Sequence, residues 1–485
     1  MKKLLILLYI AGLALLISCE EPLRILPPDG LVKNEYWKNK ENVKAALIGA
    51  YQQIARMDDQ LFYYGELRGD MLQEGTNLSN SLKNIMISNI YPENPNTKWR
   101  DFYSLINYCN TVLKYSGQVK EIDPTFTDYL YEAYNAEAIF LRSLAYFYLV
   151  RIYKDVPLIL SPYDTDDQNF FYEKTNAEVI LDSLKTQLNG ILSAIPESHE
   201  TNDKTRGRAT RGAVYALLAD IALWKFEYQD CISYVDKIEE SELYQLVPSG
   251  KWFTIFSEGN TLEGIFEIQY DSRRGQDNHL FDITRPQNNQ FLASDYALKI
   301  LDPGISNEVV RGPGSIRVED NLIWKFVGKN PDGISFRAGA GQQSANWIIY
   351  RLADVLLMKA EALSQSGKYN EAIEIVNELR TRAFVPPLSA PQSPTAFENL
   401  ILEERAKELA YEGKRWFDLL RMGRRNNYAR KEKLIEYIIE NVPATQKRVL
   451  ASKLKDPNGW YLPINADEME KNLNLIQNPY YQIYE

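Results

Sequence analysis

The stretch YEAYNAEAIFLRSLAYFYLVRIYKDVPL sets Ala133, Ala136, Phe140, Leu144 and Phe147 at steps of three and four residues. That spacing lines side chains along one face of an α-helix. A chain dominated by such stripes can bury them only by packing helix on helix. Pro157 stops this helix soon after Lys154 and Asp155, because proline has no amide hydrogen to donate.

Two later stretches show helix pairs. In RATRGAVYALLADIALWKFEYQDCISYVDKI, small alanines precede Tyr228 and a second amphipathic run. In YRLADVLLMKAEALSQSGKYNEAIEIVNELRTRA the pattern breaks at Ser366, Gly367 and Lys368 and resumes with Ala372, Val376 and Leu379. Both resemble tetratricopeptide units, helix–turn–helix repeats of about 34 residues whose small side chains let paired helices approach closely. The copies lie far apart, so they read as a scaffold interrupted by other material. The fold expected is mostly α: tetratricopeptide-like helix pairs packed against a loop-rich, irregular region with short strands.

That irregular region spans 249–346, rich in glycine and proline, with β-like runs such as GIFEIQY and LIWKFVG. Loops on a rigid frame are where binding sites concentrate, which makes this segment the first place to look for a ligand surface. A further run, LILEERAKELAYEGKRWFDLLRMG, reads as one helix with Leu402, Ala406, Leu409, Gly413, Trp416 and Leu420 on a single seam. Glu404, Glu408, Glu412, Arg415, Asp418 and Arg421 surround that seam at pairing distance. Two such carboxylates could be cast as the acid and base of a glycosidase. Carboxylates beside arginines are held ionised, however, and none is singled out as a proton donor, so no catalytic residue is assigned. Trp99, Trp224 and Trp416 also fall on helical seams and read as core.

At the N-terminus, Lys2 and Lys3 precede fourteen uncharged residues, Leu4 to Ile17, the order of a secretory signal peptide. A bilayer core needs about 20 apolar residues, and this run breaks off at Glu20, Glu21 and Pro22. Leu16, Ile17 and Ser18 lead into Cys19 as in a bacterial lipobox, which makes Cys19 the lipidated first residue of the mature chain. Acyl chains there anchor a protein to a membrane without crossing it. Residues 1–18 are thus read as a lipoprotein signal and 19–34, with Pro22, Pro27 and Pro28, as an extended tether.

Without the two lysines of the signal, 53 of the 55 basic residues face 65 acidic ones, a balance of −12 that argues against nucleic acid or an anionic lipid surface as the main partner. Cys109 and Cys231 sit inside helical patterns and read as buried free thiols. His199 and His279 are the only histidines, and no cysteine pair has metal spacing, so neither a metal nor a cofactor is expected. Tyrosine is abundant, at 32 residues, but rings serve cores as well as sugar and peptide stacking, so the count alone does not choose.

Several stretches, in order, resemble the SusD/RagB-like outer-membrane nutrient-binding lipoproteins: EYWKNKENVKAALIGAYQQI, GELRGDM, WRDFYSLINYCNTVL, NAEAIFLRSLAYFYLVRIYKDVPL, IIYRLADVLLMKAEAL, ILEERAKELAYEGKRWFDLLRMG and the closing YLPINADEMEKNLNLIQNPYY. Tyr480 stands where that family usually has glycine. The resemblance implies one compact unit, with an N-terminal helical part over 35–235 and a C-terminal part over 236–485 that carries the 249–346 insert. It implies four tetratricopeptide-like units, no catalysis, and a place on the outside of the outer membrane. The partner implied is a SusC-like TonB-dependent transporter, to which the protein delivers an oligosaccharide or, alternatively, a peptide. Glu20 and Glu21 resemble the surface-export signal of such lipoproteins.

By position, the resemblance carries ligand contact to Asp70, to the loop EGTNLSNSLKN with Asn77 and Asn80, and to QYDSRRGQDNHLFDITRPQNNQF. Within the last stretch Arg273, His279, Phe281 and Phe291 are the candidates. No tryptophan lies between Asp70 and Tyr91, so a stacking platform would come from elsewhere, Tyr63 or Tyr64, and this favours the peptide alternative. Two further readings, a surface glycoside hydrolase and a periplasmic assembly scaffold, are distinguishable by reducing-sugar release and by protease shaving of intact cells.

Overall fold

A computed structural model describes residues 36–165, 167–337, 344–391, 393–440 and 442–482. Cys19, the signal and the whole 19–34 tether lie outside the described residues.

Helices dominate from the start. Helix α1 (Lys40–Ala55) is capped by Asn39, whose side chain accepts from the Asn42 amide while Asn42 reaches back. A short helix α2 (Asp58–Glu66) and strand β1 (Leu72–Glu74) follow. The long helices α3 (Arg100–Ile122) and α4 (Asp128–Tyr153) pack against one another, and α1 packs against both, chiefly on α3. Helix α4 ends at Tyr153, before Pro157, as its sequence dictates. Helix α5 (Ala177–Gly190) packs on α4, and α6 (Arg211–Trp224) pairs with α7 (Tyr228–Glu240). On α6, Ala213, Ala216, Ala219 and Ala222 are all fully buried, which is what lets these helices come close.

The insert then contributes strand β2 (Gly264–Ile268), helix α8 (His279–Thr284), strand β3 (Phe291–Ala293), and the two-residue strands β4 (Ile316–Arg317) and β5 (Leu322–Ile323). Strand β6 (Trp347–Arg351) runs straight into helix α9 (Leu352–Gln365). Helix α9 breaks at Ser366 and at Gly367, which adopts φ +79°, and α10 (Tyr369–Arg382) folds back on it. Three antiparallel two-stranded sheets result, β1 with β3, β2 with β6 and β4 with β5. The mostly helical class expected from the periodicity is the one observed. Trp99, Trp224 and Trp416 are core residues, and Cys109 and Cys231 are buried free thiols.

The run from Leu400 to Gly423 is not one helix. Helix α11 (Pro394–Glu408) stops, the chain turns through Leu409–Lys414, and α12 (Arg415–Tyr428) begins anew, its helical backbone giving way at Arg425–Asn427. Gly413 has φ +71° and lies so close to Gly65 that a Cβ on either residue would strike its neighbours. The Glu66 carboxylate accepts from the Lys414 amide at the head of α12.

The break serves a buried ion lattice. Glu408 binds Arg351 at 2.7 Å and Arg382 at 2.5 Å, while Glu412, past the turn, reaches Arg351 at 2.8 Å and Lys325 at 2.9 Å. Glu263 joins Arg351 at 2.6 Å, and Arg311 bridges Glu308 and Glu404 at 2.7 and 2.6 Å. A continuous helix would carry Glu412 one turn along a single face instead of around Arg351. Although burial pushes Glu408 up, Arg382, Arg351 and Arg311 hold it well below the usual carboxylate range. Glu412 is likewise held below the usual range by Arg351 and Lys325, so these two are ionised, as the sequence suggests, but most of the lattice's partners come from other elements rather than from the same helix.

Candidate functional site

The two regions singled out in the sequence meet. Strand β1 pairs with β3 in the register Leu72↔Ala293, Gln73↔Leu292, Glu74↔Phe291, which places the Asp70–Asn80 loop against the insert. The pairing continues beyond the strands: the Gly75 amide donates to the Gln290 carbonyl at 2.9 Å and the Asn77 amide to Asn289 at 3.2 Å. A Cβ at Gly75 would collide with Asn289 and Gln290, so only glycine permits this approach. The Thr76 hydroxyl donates to Asn289 Oδ1 at 2.5 Å.

Five candidates prove structural. Asp70 is buried and takes both fork nitrogens of Arg415 at 2.6 and 2.7 Å, leaving nothing for a ligand. Phe291 is wholly buried against Phe62, ring centroids 5.7 Å apart. Phe281 fills a small core with Trp324 and Leu322. Tyr63 packs on Phe291, and the Tyr64 hydroxyl donates to the Asn96 carbonyl at 3.1 Å. Both phenols are buried, which raises their pKa and removes them as stacking platforms.

Four remain at the surface. Asn77 is exposed on the loop beside Asn289, and Asn80, also exposed, opens the short helix Asn80–Met86 that follows. Arg273 is 82% exposed and touches Asp271 at 3.2 Å. His279 opens α8: its amide and its ring Nδ1 both meet the buried Asp58 carboxylate at 2.8 Å. The hydrogen bond to Asp58 outweighs partial burial and lifts the imidazole to about 9, so the ring is cationic at neutral pH.

Beside His279 lies a cleft of about 590 Å³ between α1 and the insert. Ile48 and the half-buried Tyr51 give it an apolar side, backed by the buried rings of Phe266 and Tyr270, and Gln269, Arg274 and Gln276 form its polar one. The walls are fastened: the Tyr270 hydroxyl donates to the Ala55 carbonyl at 3.0 Å, and the Tyr51 hydroxyl to Glu137 at 2.6 Å. A fixed apolar face edged with amides and a guanidinium suits a flat, hydroxyl-bearing or amide-bearing ligand. Sequence reasoning missed Tyr51, Arg274 and Gln276. Tyr51 looks like an ordinary seam residue of α1, while Arg274 and Gln276 stand within the stretch that was singled out. Among the described residues no group of histidines, cysteines and carboxylates could hold a metal ion.

Residues 322–481 match the family profile described as "SusD family", and residues 28–223 match one described as "Starch-binding associating with outer membrane". The chain is 25% identical over 482 residues to the SusD-like protein P38 of Formosa agariphila, covering 85% of this chain and 90% of that one. Its fold matches a SusD superfamily protein of Bacteroides vulgatus with TM-score 0.76 at 20% identity, over 92% of this chain and all of the other. It also matches a laminarin-binding SusD-like protein with TM-score 0.73 at 20% identity, over 91% and 99% of the two chains. With this fold, these two profiles and these relatives, the chain belongs to the SusD/RagB family.

Proposed function

We propose that this protein is a cell-surface, lipid-anchored receptor that captures oligosaccharides and hands them to a SusC-like TonB-dependent transporter, without cleaving them. The observation that carries the reading is the cleft beside His279. The Tyr51 ring and Ile48 would lie against the apolar C–H faces of a sugar, while Gln269, Arg274 and Gln276 would bond the hydroxyls. Asn77, Asn80, Arg273 and His279 are proposed as outlying contacts on the same surface. The family described as starch-binding and the laminarin-binding relative both favour a glycan over a peptide. Cys19 is proposed as the anchor; none of the described helices is long and apolar enough to cross a membrane. The carboxylates near α11 and α12 are tied up by arginines and lysines, which supports binding rather than hydrolysis.

Calorimetric titration of the purified protein with laminarin, starch oligosaccharides and a peptide mixture tests the reading. Saturable glycan binding that weakens about tenfold in Arg274→Ala/Gln276→Ala, with no reducing sugar released, is expected. Saturation by peptides alone would reject the glycan in favour of the peptide-binding alternative. Co-purification of a barrel transporter from outer membranes checks the partner.

A further inference from the structure

A second cleft, of about 480 Å³, lies where distant segments meet: the start of α3, residues 157–163 and 170–172 after α4, and the 468–475 segment near the C-terminus. Its lining is unusually aromatic. Trp99 and Tyr103 stand edge to face at 5.5 Å, Tyr163 and Phe170 are stacked at 5.4 Å with planes 12° apart, and Tyr172 meets Tyr163 edge-on at 6.3 Å. Phe170 keeps 46% of its surface exposed, far more than a ring recruited only for the core.

The cleft is also braced. The Tyr163 amide donates to Asn107 Oδ1 at 2.7 Å and the Tyr103 hydroxyl to the Pro157 carbonyl at 2.7 Å. Asn472 and Asn474 donate to the Tyr172 and Phe171 carbonyls at 2.8 and 2.9 Å, which pins the aromatic loop to the C-terminal segment. Around the rings, Arg100, Ser104, Glu468 and Lys471 line the same space. Among the described residues the side chains of Arg100, Glu468 and Lys471 have no ion pair. Rings held in place beside uncommitted donors and acceptors are the elements of pyranose recognition: C–H faces on aromatic carbon, hydroxyls on charged side chains. The volume falls within the ~300–1,000 Å³ of small-ligand sites.

We propose that this cleft is a second carbohydrate-binding site, taking a short oligosaccharide segment on Phe170 and Tyr163, separate from the cleft beside His279. It rests on the glycan-capture reading. Two sites on one chain would grip a polysaccharide at two points, and the second contact then acts at high effective concentration.

The test uses full-length protein in affinity gels and calorimetry with laminarin, starch, xylan and mannan. Compared are the wild type, Phe170→Ala, Phe170→Tyr and Tyr163→Ala/Phe170→Ala. For any glycan the wild type retains, the double variant should bind about fivefold more weakly or worse, Phe170→Ala should fall between, and Phe170→Tyr should keep binding. Because Phe170 is exposed, its single variants should melt with the wild type, which separates binding from folding. Unchanged glycan binding in the double variant would overturn the second site alone. Unchanged binding accompanied by loss of a co-purifying barrel transporter would reassign the cleft to a protein partner. A wild type that binds none of the four glycans would instead overturn the glycan reading on which both clefts stand.

Discussion

The lattice around Arg351 and the surface around His279 are built from the same residue types and behave in opposite ways. Arg351, Glu408 and Glu263 are wholly buried, and each charge is met by others from separate elements. At the His279 surface, Arg273 and Arg274 are about four-fifths exposed, each leaning on Asp271. Charge buried in a lattice fixes register between distant segments, because an unmatched charge away from water is severely penalised. Charge at a rim is loosely held and free to change partners. The lattice positions the insert; the rim is what the insert presents.

The first way to break this contrast is to orphan the lattice. Arg351→Ala removes the one cation that Glu263, Glu408 and Glu412 share, leaving Arg382, Arg311 and Lys325 to offset all three, and should cost about 4 kcal/mol or abolish soluble expression, read by denaturant unfolding. Asp70→Asn removes one partner from a single buried pair with Arg415 and should cost about 3 kcal/mol, although Asp70 stands beside the candidate surface. If Asp70→Asn instead kept full stability and lost glycan binding, its assignment to the frame would be wrong.

Asp70 also shows what the sequence conceals. Its neighbours in GELRGDM suggest a polar loop, but its partner Arg415 is 345 residues away, and no local spacing reveals it. Phe291 likewise reads as an exposed loop aromatic until β1 and β3 pair and close it against Phe62. The helix pairs were legible because three- and four-residue periodicity is local: α9 and α10 break where Ser366–Gly367 says they must. The interruption between α11 and α12 was not, since the seam of apolar residues runs on through Leu409 and Gly413 while the turn answers to Arg351 and Gly65. What acts through sequence neighbours could be read, and what acts through distant charge or close backbone approach could not.

Between frame and rim stands the His279–Asp58 pair, half-exposed histidine on a buried carboxylate. Asp58 lifts the imidazole from its usual 6.5 to about 9, with Asp59 and Asp282 adding to the effect. The folded state therefore binds the proton more tightly than the unfolded chain. That contribution is complete below pH 6.5 and disappears as the pH rises to about 9. Solvent screening of the half-exposed ring keeps it small. Melting midpoints across pH 6 to 9.5 should decline slightly in the wild type, and this component should vanish in His279→Ala. An identical slope in both would remove His279 from the fold's pH response.

The smallest effect on stability is the sharpest check on the rim. Arg273 is exposed, and among the described residues its ion pair is to Asp271 two residues away, which also receives Arg274 at 3.4 Å, so the loss of Arg273 leaves Asp271 partnered. Exposed pairs of this kind contribute little, because water and salt already screen them. Arg273→Ala should therefore leave the melting midpoint unchanged within about 1 °C. Binding is a separate matter: if the rim recognises ligand, the same substitution should weaken glycan binding two- to fivefold, about one hydrogen bond's worth. A variant that melts early would place Arg273 with the frame, and one that binds as tightly as the wild type would move ligand contact away from Arg273 and toward Arg274 and Gln276.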